Sequence, residues 1–395
     1  MRLFFLLLAL SPWITSAQIF KNYAPQWGVV QYDWDGLYGS GVSTADWNLD
    51  GWDDLTFGNS SGAIRTYTNT QGTGFSILPL PINQQAESKS ILWLDIDNDG
   101  DMDFHYSDAE GRTEILENIG DTTFINVTEI TNIPQTIPQT FISIEGSSWC
   151  DYDNDGDLDL YICRYYENEE NLDAEYRNVL MRNDGNFQFT DVTSQSNTGT
   201  YTRASFQSVW FDWDRDGFQD LFIINDKNGV NTLYHNLGDG GFEDIADQVG
   251  LNISMDAMSA SVGDYNTDGI TAIYISDSGL GEFPQGSKLF RGTPSGVYSE
   301  ESIPMGVNLQ EFCWGAVWMD MDNDTDLDIF ITEHDLSNPY QENYLFENTG
   351  TSGTNMLEFN LASTEIYFTD LLNSHTTASG DFNRDGWIDF VVHNT

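Results

Sequence analysis

Lysine and arginine are scarce. The 395-residue chain carries 14 of them against 63 aspartates and glutamates, a formal charge of -49. So acidic a chain repels phosphate backbones, which excludes nucleic-acid binding, and it disfavours anionic membrane surfaces. Cysteine is scarce too: Cys150, Cys163 and Cys313 form an odd set that cannot pair completely. Cys150 and Cys163 flank one acidic loop but would not face each other in a hairpin closed by it, so three buried free thiols are expected. Proline is held to 10 residues while glycine reaches 35, a balance suited to many tight turns. Sustained helical periodicity is missing. Beyond the N-terminus no apolar run approaches the ~18 residues of a membrane helix, so no direct membrane insertion is expected. G-x-S-x-G, H-E-x-x-H and P-loop signatures are absent, and none of the five histidines sits in a motif that nominates it.

Aromatic residues are plentiful: 12 Trp, 18 Tyr and 24 Phe supply a core and exclude wholesale disorder. The N-terminus reads as an export signal. Arg2 is a short basic region, Phe4 to Leu10 an apolar stretch too short to span a bilayer, and Thr15 and Ala17 are small residues before a cleavage point near Ala17. Residues 1–17 are therefore expected to be a signal peptide. The mature protein, 18–395, is then secreted or held at the cell surface, in a periplasmic or extracellular setting.

One nine-residue string recurs seven times: DWNLDGWDD (46–54), DIDNDGDMD (95–103), DYDNDGDLD (151–159), DWDRDGFQD (212–220), DYNTDGITA (264–272), DMDNDTDLD (320–328) and DFNRDGWID (381–389). The average period is about 56 residues. Before each string lies a run of small and apolar residues, and after it a β-type run such as DLYICRY or DLFIIND. A second run ending in a turn follows, as in NVLMRNDGNFQF or NTLYHNLGDGGF, then a last short segment such as FEDIADQVGL. Each unit reads as four short strands. Seven such units favour a closed ring, a seven-bladed β-propeller that protects its strand edges, over a linear solenoid that needs caps and usually a shorter repeat. The segment from Phe20 to Gly28 matches 242–250, with Phe20 on Phe242, Ala24 on Ala246 and Gly28 on Gly250. The chain is thus expected to open with the outer strand of the blade whose other strands come last. The seventh unit stops at Thr395 after its second strand, which reads as a blade truncated at the C-terminus.

The acidic residues cluster in the seven strings, which hold 28 of the 63. A salt-rich habitat, an acidic tail and bound cations could each account for the charge. The clustering along the chain favours cations. In D-x-[DN]-x-D-G-x-x-D, side chains at positions 1, 3 and 5 of a tight turn converge, Gly at position 6 permits the reversal, and Asp at position 9 closes the shell. Hard cations such as Ca2+ take six to eight oxygens in this way. Cys and His are absent from ligand spacing within the strings, which argues against zinc and copper. Position 12, where an EF-hand needs Glu, holds Phe57, Tyr106, Ile162, Ile223, Ile275, Ile331 and Val392, so an EF-hand is rejected. The expected ligands are Asp46, Asn48, Asp50 and Asp54 in loop one; Asp95, Asp97, Asp99 and Asp103 in loop two; Asp151, Asp153, Asp155 and Asp159 in loop three; and Asp212, Asp214, Asp216 and Asp220 in loop four. Loop five offers Asp264, Asn266 and Asp268 with Ala272 at position 9, and is expected to be weak or empty. Loop six offers Asp320, Asp322, Asp324 and Asp328, and loop seven Asp381, Asn383, Asp385 and Asp389. Up to seven Ca2+ would be bound. Thr325 replaces the usual Gly in loop six and is expected to strain the turn.

DWDRDGFQDL (212–221) with NTLYHNLGDGGF (231–242) closely resembles the FG-GAP/VCBS repeat family, which includes integrin α-subunit propellers and bacterial secreted relatives. The hairpin portion looks like the cartilage-acidic-protein and UnbV-type branch. Over residues 19–395 the resemblance implies an all-β fold: a seven-bladed propeller of four-stranded blades, with Ca2+ in the loops joining first and second strands. It also implies a structural role for calcium in support of a ligand-binding face. The expected function is non-enzymatic: adhesion or recognition of an extracellular glycan or protein by a monomer. The stretch 158–180 departs most from the repeat, and its Arg164, Tyr165, Tyr166 and Arg177 are candidates for a contact patch. The competing reading is an enzyme. Some secreted propellers resembling this one cleave acidic polysaccharides by β-elimination, with a Tyr or His base and an Arg or Ca2+ against the uronate.

Overall fold

The computed structural model describes residues 20–29, 40–60, 64–82, 86–120, 122–135, 143–166, 176–227, 229–279, 285–334, 343–352, 356–362 and 374–394. The expected signal peptide lies outside them.

Six sheets have four antiparallel strands in sequence order. Blade 4 is representative: Ser205–Phe211, Asp220–Asn225, Thr232–Asn236 and Phe242–Asp244. The seventh repeat forms a two-stranded sheet, Ser374–Gly380 with Asp389–Asn394. The expectation of a seven-bladed propeller is thereby corrected: among the described residues six blades have four strands, and the seventh repeat, expected to be truncated, forms a hairpin of its first two strands.

The first strands of the seven sheets neighbour one another in cyclic order, and the hairpin packs between blades 6 and 1. Each second strand is covered on both sides by adjacent sheets. That is why DLFIIN and AIYISD are buried along their whole length and read as continuous apolar runs rather than alternating ones. One apolar cluster fills each junction. Between blades 3 and 4 it comprises Tyr152, Tyr161, Leu180, Leu221, Tyr234 and Phe242. Between the hairpin and blade 1 it comprises Leu55, Phe57, Tyr67, Phe382 and Val391.

The N-terminal segment sits where its similarity to 242–250 places it. Phe20 packs edge-on against Phe390 of the hairpin, ring centroids 4.8 Å apart. Its local bonds repeat those of 242–251. Ala24 N–H donates to Asn22 Oδ1 and Ala246 N–H to Asp244 Oδ1, both at 3.1 Å. Gly28 and Gly250 share the left-handed backbone, φ 78° and 84°. A Cβ at either would stand 3.3 Å from the outer-strand carbonyl of the next blade, Phe75 or Tyr298.

The thiols are free, as expected. Cys163 and Cys313 are buried, but Cys150 is only half-buried because it sits on the last residue of its strand, opposite Asp159.

Candidate metal centre

All seven acidic strings join the first strand of a sheet to its second. Loop three shows how the sequence builds the turn. Asp151 accepts the N–H of Asp155 on Oδ1 and of Gly156 on Oδ2, both at 3.0 Å, and Asp155 accepts the N–H of Asp157 at 3.0 Å. Position 1 repeats this double acceptance in loops one, four, five, six and seven. The backbone N–H groups thus aim the carboxylates before any cation arrives. Position 4 is left-handed in every loop, which suits Asn98, Asn154 and Asn323. Position 6 is left-handed too, and Thr325 occupies it at φ 79°. The strain expected of that β-branched residue is therefore present. Replacing Thr325 with Gly is expected to stabilise the protein by about 1 kcal/mol. A denaturant midpoint would read this, and a lower midpoint would refute it.

The Asp at position 9 opens the second strand and is buried. Asp159 takes Tyr152 N–H on Oδ2 at 3.1 Å and Asn183 N–H on Oδ1 at 2.8 Å. Burial pushes its carboxyl up to about 8, with those N–H groups pulling the other way. Asp54, Asp328 and Asp389 are also pushed up to about 8 by burial, and Asp103 to about 7.

Ligand atoms meet within 4.8 Å in four of the loops. Loops two and four gather positions 1, 3 and 5: Asp95, Asp97 and Asp99, and Asp212, Asp214 and Asp216. Loops three and six gather positions 1, 3 and 9: Asp151, Asp153 and Asp159, and Asp320, Asp322 and Asp328. Among the described residues, no three carboxylates meet this way in loops one, five and seven, where Asn48, Asn266 and Asn383 hold position 3. Oxygens without a hydrogen-bond partner lie in the loops: Asp95 Oδ1, Asp153 Oδ1 and, fully buried, Asp54 Oδ2. Buried carboxylate oxygens left unpaired are costly, and an all-oxygen donor set of this kind fits a hard divalent cation.

Loop five does not fit. Arg291 Nη2 lies 3.2 Å from Asp268 Oδ2, which also accepts the Asn266 amide at 2.9 Å. Burial pushes Asp268 upward, but the Ile270 N–H, the Asn266 amide and the Arg291 guanidinium together hold its carboxyl below the usual range. A side-chain cation already stands at the carboxylate, and Ala272 supplies no oxygen at position 9.

Sequence reasoning missed what surrounds the loops. Position 4 of one loop reaches the position-6 carbonyl of the next: Asn98 to Gly156 at 3.0 Å, Asn154 to Gly217 at 3.2 Å, Arg215 to Gly269, and Asn323 to Gly386 at 3.0 Å. In blades 1, 3, 4 and 6 a buried Asn of the third strand ties the blade back to the preceding loop. Asn183 donates to Ile96 O at 3.0 Å, Asn236 to Tyr152 O at 2.7 Å, Asn348 to Tyr265 O at 2.7 Å, and Asn69 to Phe382 O at 2.8 Å across the ring seam. The residue before this Asn position, a position that Gly292 holds in blade 5, stands beside its own blade's loop. It is Glu117, Arg182, His235, Arg291 and Glu347 in blades 2 to 6. Aligning the third strands would have exposed this charged column.

Of the contact patch, Tyr166 stacks on Tyr176 with centroids 4.1 Å apart, and Arg164 is buried with Nη1 on Arg177 O at 3.3 Å. Tyr201 lies under the Arg203 guanidinium, 4.2 Å from the ring centroid. Residues 167–175 lie outside the described set.

A family model described as "FG-GAP-like repeat" matches residues 46–106, 95–162, 151–223, 212–275 and 320–392. Each match begins at one acidic loop and runs past the next. Loop five closes one match and opens none. No curated protein sequence matches the chain. Among solved structures, BBS1N in complex with ARL6DN, soaked with mercury, aligns with a TM-score of 0.54 at 10% identity, covering 90% of this chain and 89% of that one. A lectin of Agrocybe aegerita, described as specifically recognising non-reducing terminal N-acetylglucosamine, aligns with a TM-score of 0.50 at 14% identity, covering 95% and 89%. Likeness at these identities shows a shared propeller fold. With matches spread over most of its length, the chain belongs to the FG-GAP-like repeat family.

Proposed function

We propose that this protein is an exported, calcium-stiffened propeller that binds an extracellular glycan or protein without turning it over. The observation that carries the reading is the set of four convergent carboxylate clusters, three of them in the successive loops two, three and four that Asn98 and Asn154 tie together. Positions 1, 3, 5 and 9 of loops two, three, four and six would hold Ca2+, and loops one and seven would hold it with an Asn oxygen at position 3. Bound calcium would supply the positive charge that these loops lack. The chain's own part is to aim the carboxylates through backbone N–H groups and to tie loop to loop. The N-terminal sequence supports export, which would put the protein where calcium is abundant.

Four of the five histidines support binding over turnover. A β-eliminating base must reach a sugar proton, yet His105, His334, His375 and His393 are each at most 3% exposed. Burial also drives His105 down to about 3. The lectin among the structural neighbours favours a glycan partner, and the protein complex a protein one.

The loops are tested by counting bound calcium with equilibrium dialysis. Asp151→Asn is expected to remove one Ca2+ per chain, whereas Asp264→Asn leaves the count unchanged. Equal losses would refute the assignment of loop five. Ligand class is tested by incubating the calcium-loaded protein with acidic and neutral polysaccharides. Retention without shortened, unsaturated products is expected. Products abolished by His334→Ala would establish a lyase instead.

A further inference from the structure

The charged column beside the loops holds its one imidazole in blade 4. His235 Nδ1 lies 3.0 Å from Asp220 Oδ1, and Nε2 lies 3.8 Å from Asp214 Oδ2. Asp220 is 1% exposed and already accepts the N–H groups of Trp213 and Asn236, both at 2.7 Å. Nδ1 therefore faces Asp220 as the donor when the carboxylate accepts, and a neutral ring would present Nε2 as an acceptor toward Asp214. Nε2 and Asp214 Oδ2, 3.8 Å apart, would then face a shared ion as two ligand atoms. Metal–nitrogen and metal–oxygen distances of about 2.0–2.2 Å fit that gap when both atoms bind one ion. A carboxylate behind the far ring nitrogen is the arrangement that orients metal-ligating histidines. Trp213 holds the ring edge-on at 5.5 Å. Asp214 belongs to two groups at once, with His235 and Asp220 on one side and with Asp212 and Asp216 on the other. Asp214 thus stands within one ion's reach of the imidazole and also belongs to the acidic cluster of loop four.

We propose that loop four is a mixed nitrogen–oxygen site: His235 Nε2, with Asp214 and its neighbours Asp212 and Asp216, takes a first-row transition ion such as Zn2+, while the all-oxygen loops keep hard cations. Imidazole favours Zn2+ over Ca2+, and oxygen-only sets do not share that preference. In the same column Glu117 and Glu347 add carboxylates beside loops two and six, and Arg291 brings its own cation to loop five. The residue at this third-strand position thus gives each loop a different charged or ligating neighbour. The inference rests on the reading that these loops bind cations.

The test titrates Zn2+ into calcium-loaded protein held in millimolar Ca2+, counting bound metals by elemental analysis after dialysis. In parallel, the histidine side chains are followed by nitrogen-15 NMR. The expected result is one retained Zn2+ per chain and a shift of the His235 Nε2 resonance. His235→Gln should weaken Zn2+ retention at least tenfold while the calcium count in Ca2+ alone and the melting temperature stay unchanged. Asp214→Asn, which keeps the imidazole, should weaken it too. Zn2+ retained undiminished by His235→Gln would place the ion elsewhere and overturn the proposal. So would calcium binding normally with no Zn2+ retained, an outcome that leaves the calcium reading intact. Failure of both ions to bind would defeat that reading as well.

Discussion

Chelation with EDTA is expected to lower the melting midpoint by about 10–20 °C, the four convergent loops alone each contributing about 2.7 kcal/mol when calcium stands at a hundred times its dissociation constant. The physical cause is the charge that the loops concentrate. Loop three puts Asp151, Asp153, Asp155, Asp157 and Asp159 into nine residues, and three of these bring oxygens within 4.8 Å of one another. Arg182 stands beside this loop but bonds to Asp184 at 2.7 Å. Without a divalent ion the carboxylates are expected to repel and to weaken the turn that the backbone N–H groups hold. The loops are linked in a chain, so one opened turn also strains the Asn154–Gly217 and Asn98–Gly156 bonds. A control separates specific binding from screening. Potassium chloride at matched ionic strength weakens repulsion between exposed charges but supplies no coordination. It should restore only a small part of the loss, whereas Ca2+ should restore all of it. An unchanged midpoint in EDTA would refute structural calcium. Full rescue by potassium chloride would reduce the effect to surface electrostatics.

The repeat itself was plain in the sequence because the motif is local. Seven strings in register, each followed by β-type runs, already fix strand order and loop placement. The match of Phe20, Ala24 and Gly28 to 242–250 was enough to place the N-terminal segment against the hairpin. Long-range partners were not legible. The Asn of N-x-L-y-x-N was visible in the repeats, but its acceptors lie 83 to 87 residues away in sequence for Asn236, Asn348 and Asn183. Nothing in the local pattern points to the position-2 carbonyl of the preceding loop. The same holds for Arg291 and His235. Strand alternation tells which face a residue takes, yet only packing shows that this face overlooks the loop. That the seventh repeat would show two strands was legible, since its second β-type run is the last in the sequence given.

Asn69→Ala and Asn236→Ala remove the same chemistry at different places in the ring, and they are expected to diverge. Asn236 donates to Tyr152 O and Gln219 O and accepts Gly238 N–H. Asn69 donates to Phe382 O and Asp53 O and accepts Gly72 N–H. Both side chains are buried, at 1% and 2% exposure, so each truncation strands buried partners and costs about 3 kcal/mol. At the Asn236 junction the chain is continuous from blade 3 to blade 4. At the Asn69 junction the hairpin and blade 1, the last and first sheets along the described chain, meet through non-covalent contacts, the N-terminal segment packed on Phe390 among them. That seam depends on Thr44 Oγ1 to Ser379 O at 2.7 Å, Thr376 Oγ1 to Ser40 O at 2.9 Å, Asp381 N–H to Asp53 Oδ2 at 3.1 Å, and the apolar cluster of Leu55, Phe57 and Val391. Repeat arrays open from their free ends, so weakening the seam lowers the free energy of peeling the hairpin from the ring before the global transition. Hydrogen exchange reads this directly. In Asn69→Ala the amides of Ser374–Gly380 and Asp389–Asn394 should lose about 100-fold in protection, the equivalent of about 3 kcal/mol. In Asn236→Ala, protection in that hairpin should fall no further than in the other blades. Equal loss in every blade for both variants would mean that the ring opens only as a whole, and that its seam is no weaker than its continuous junctions.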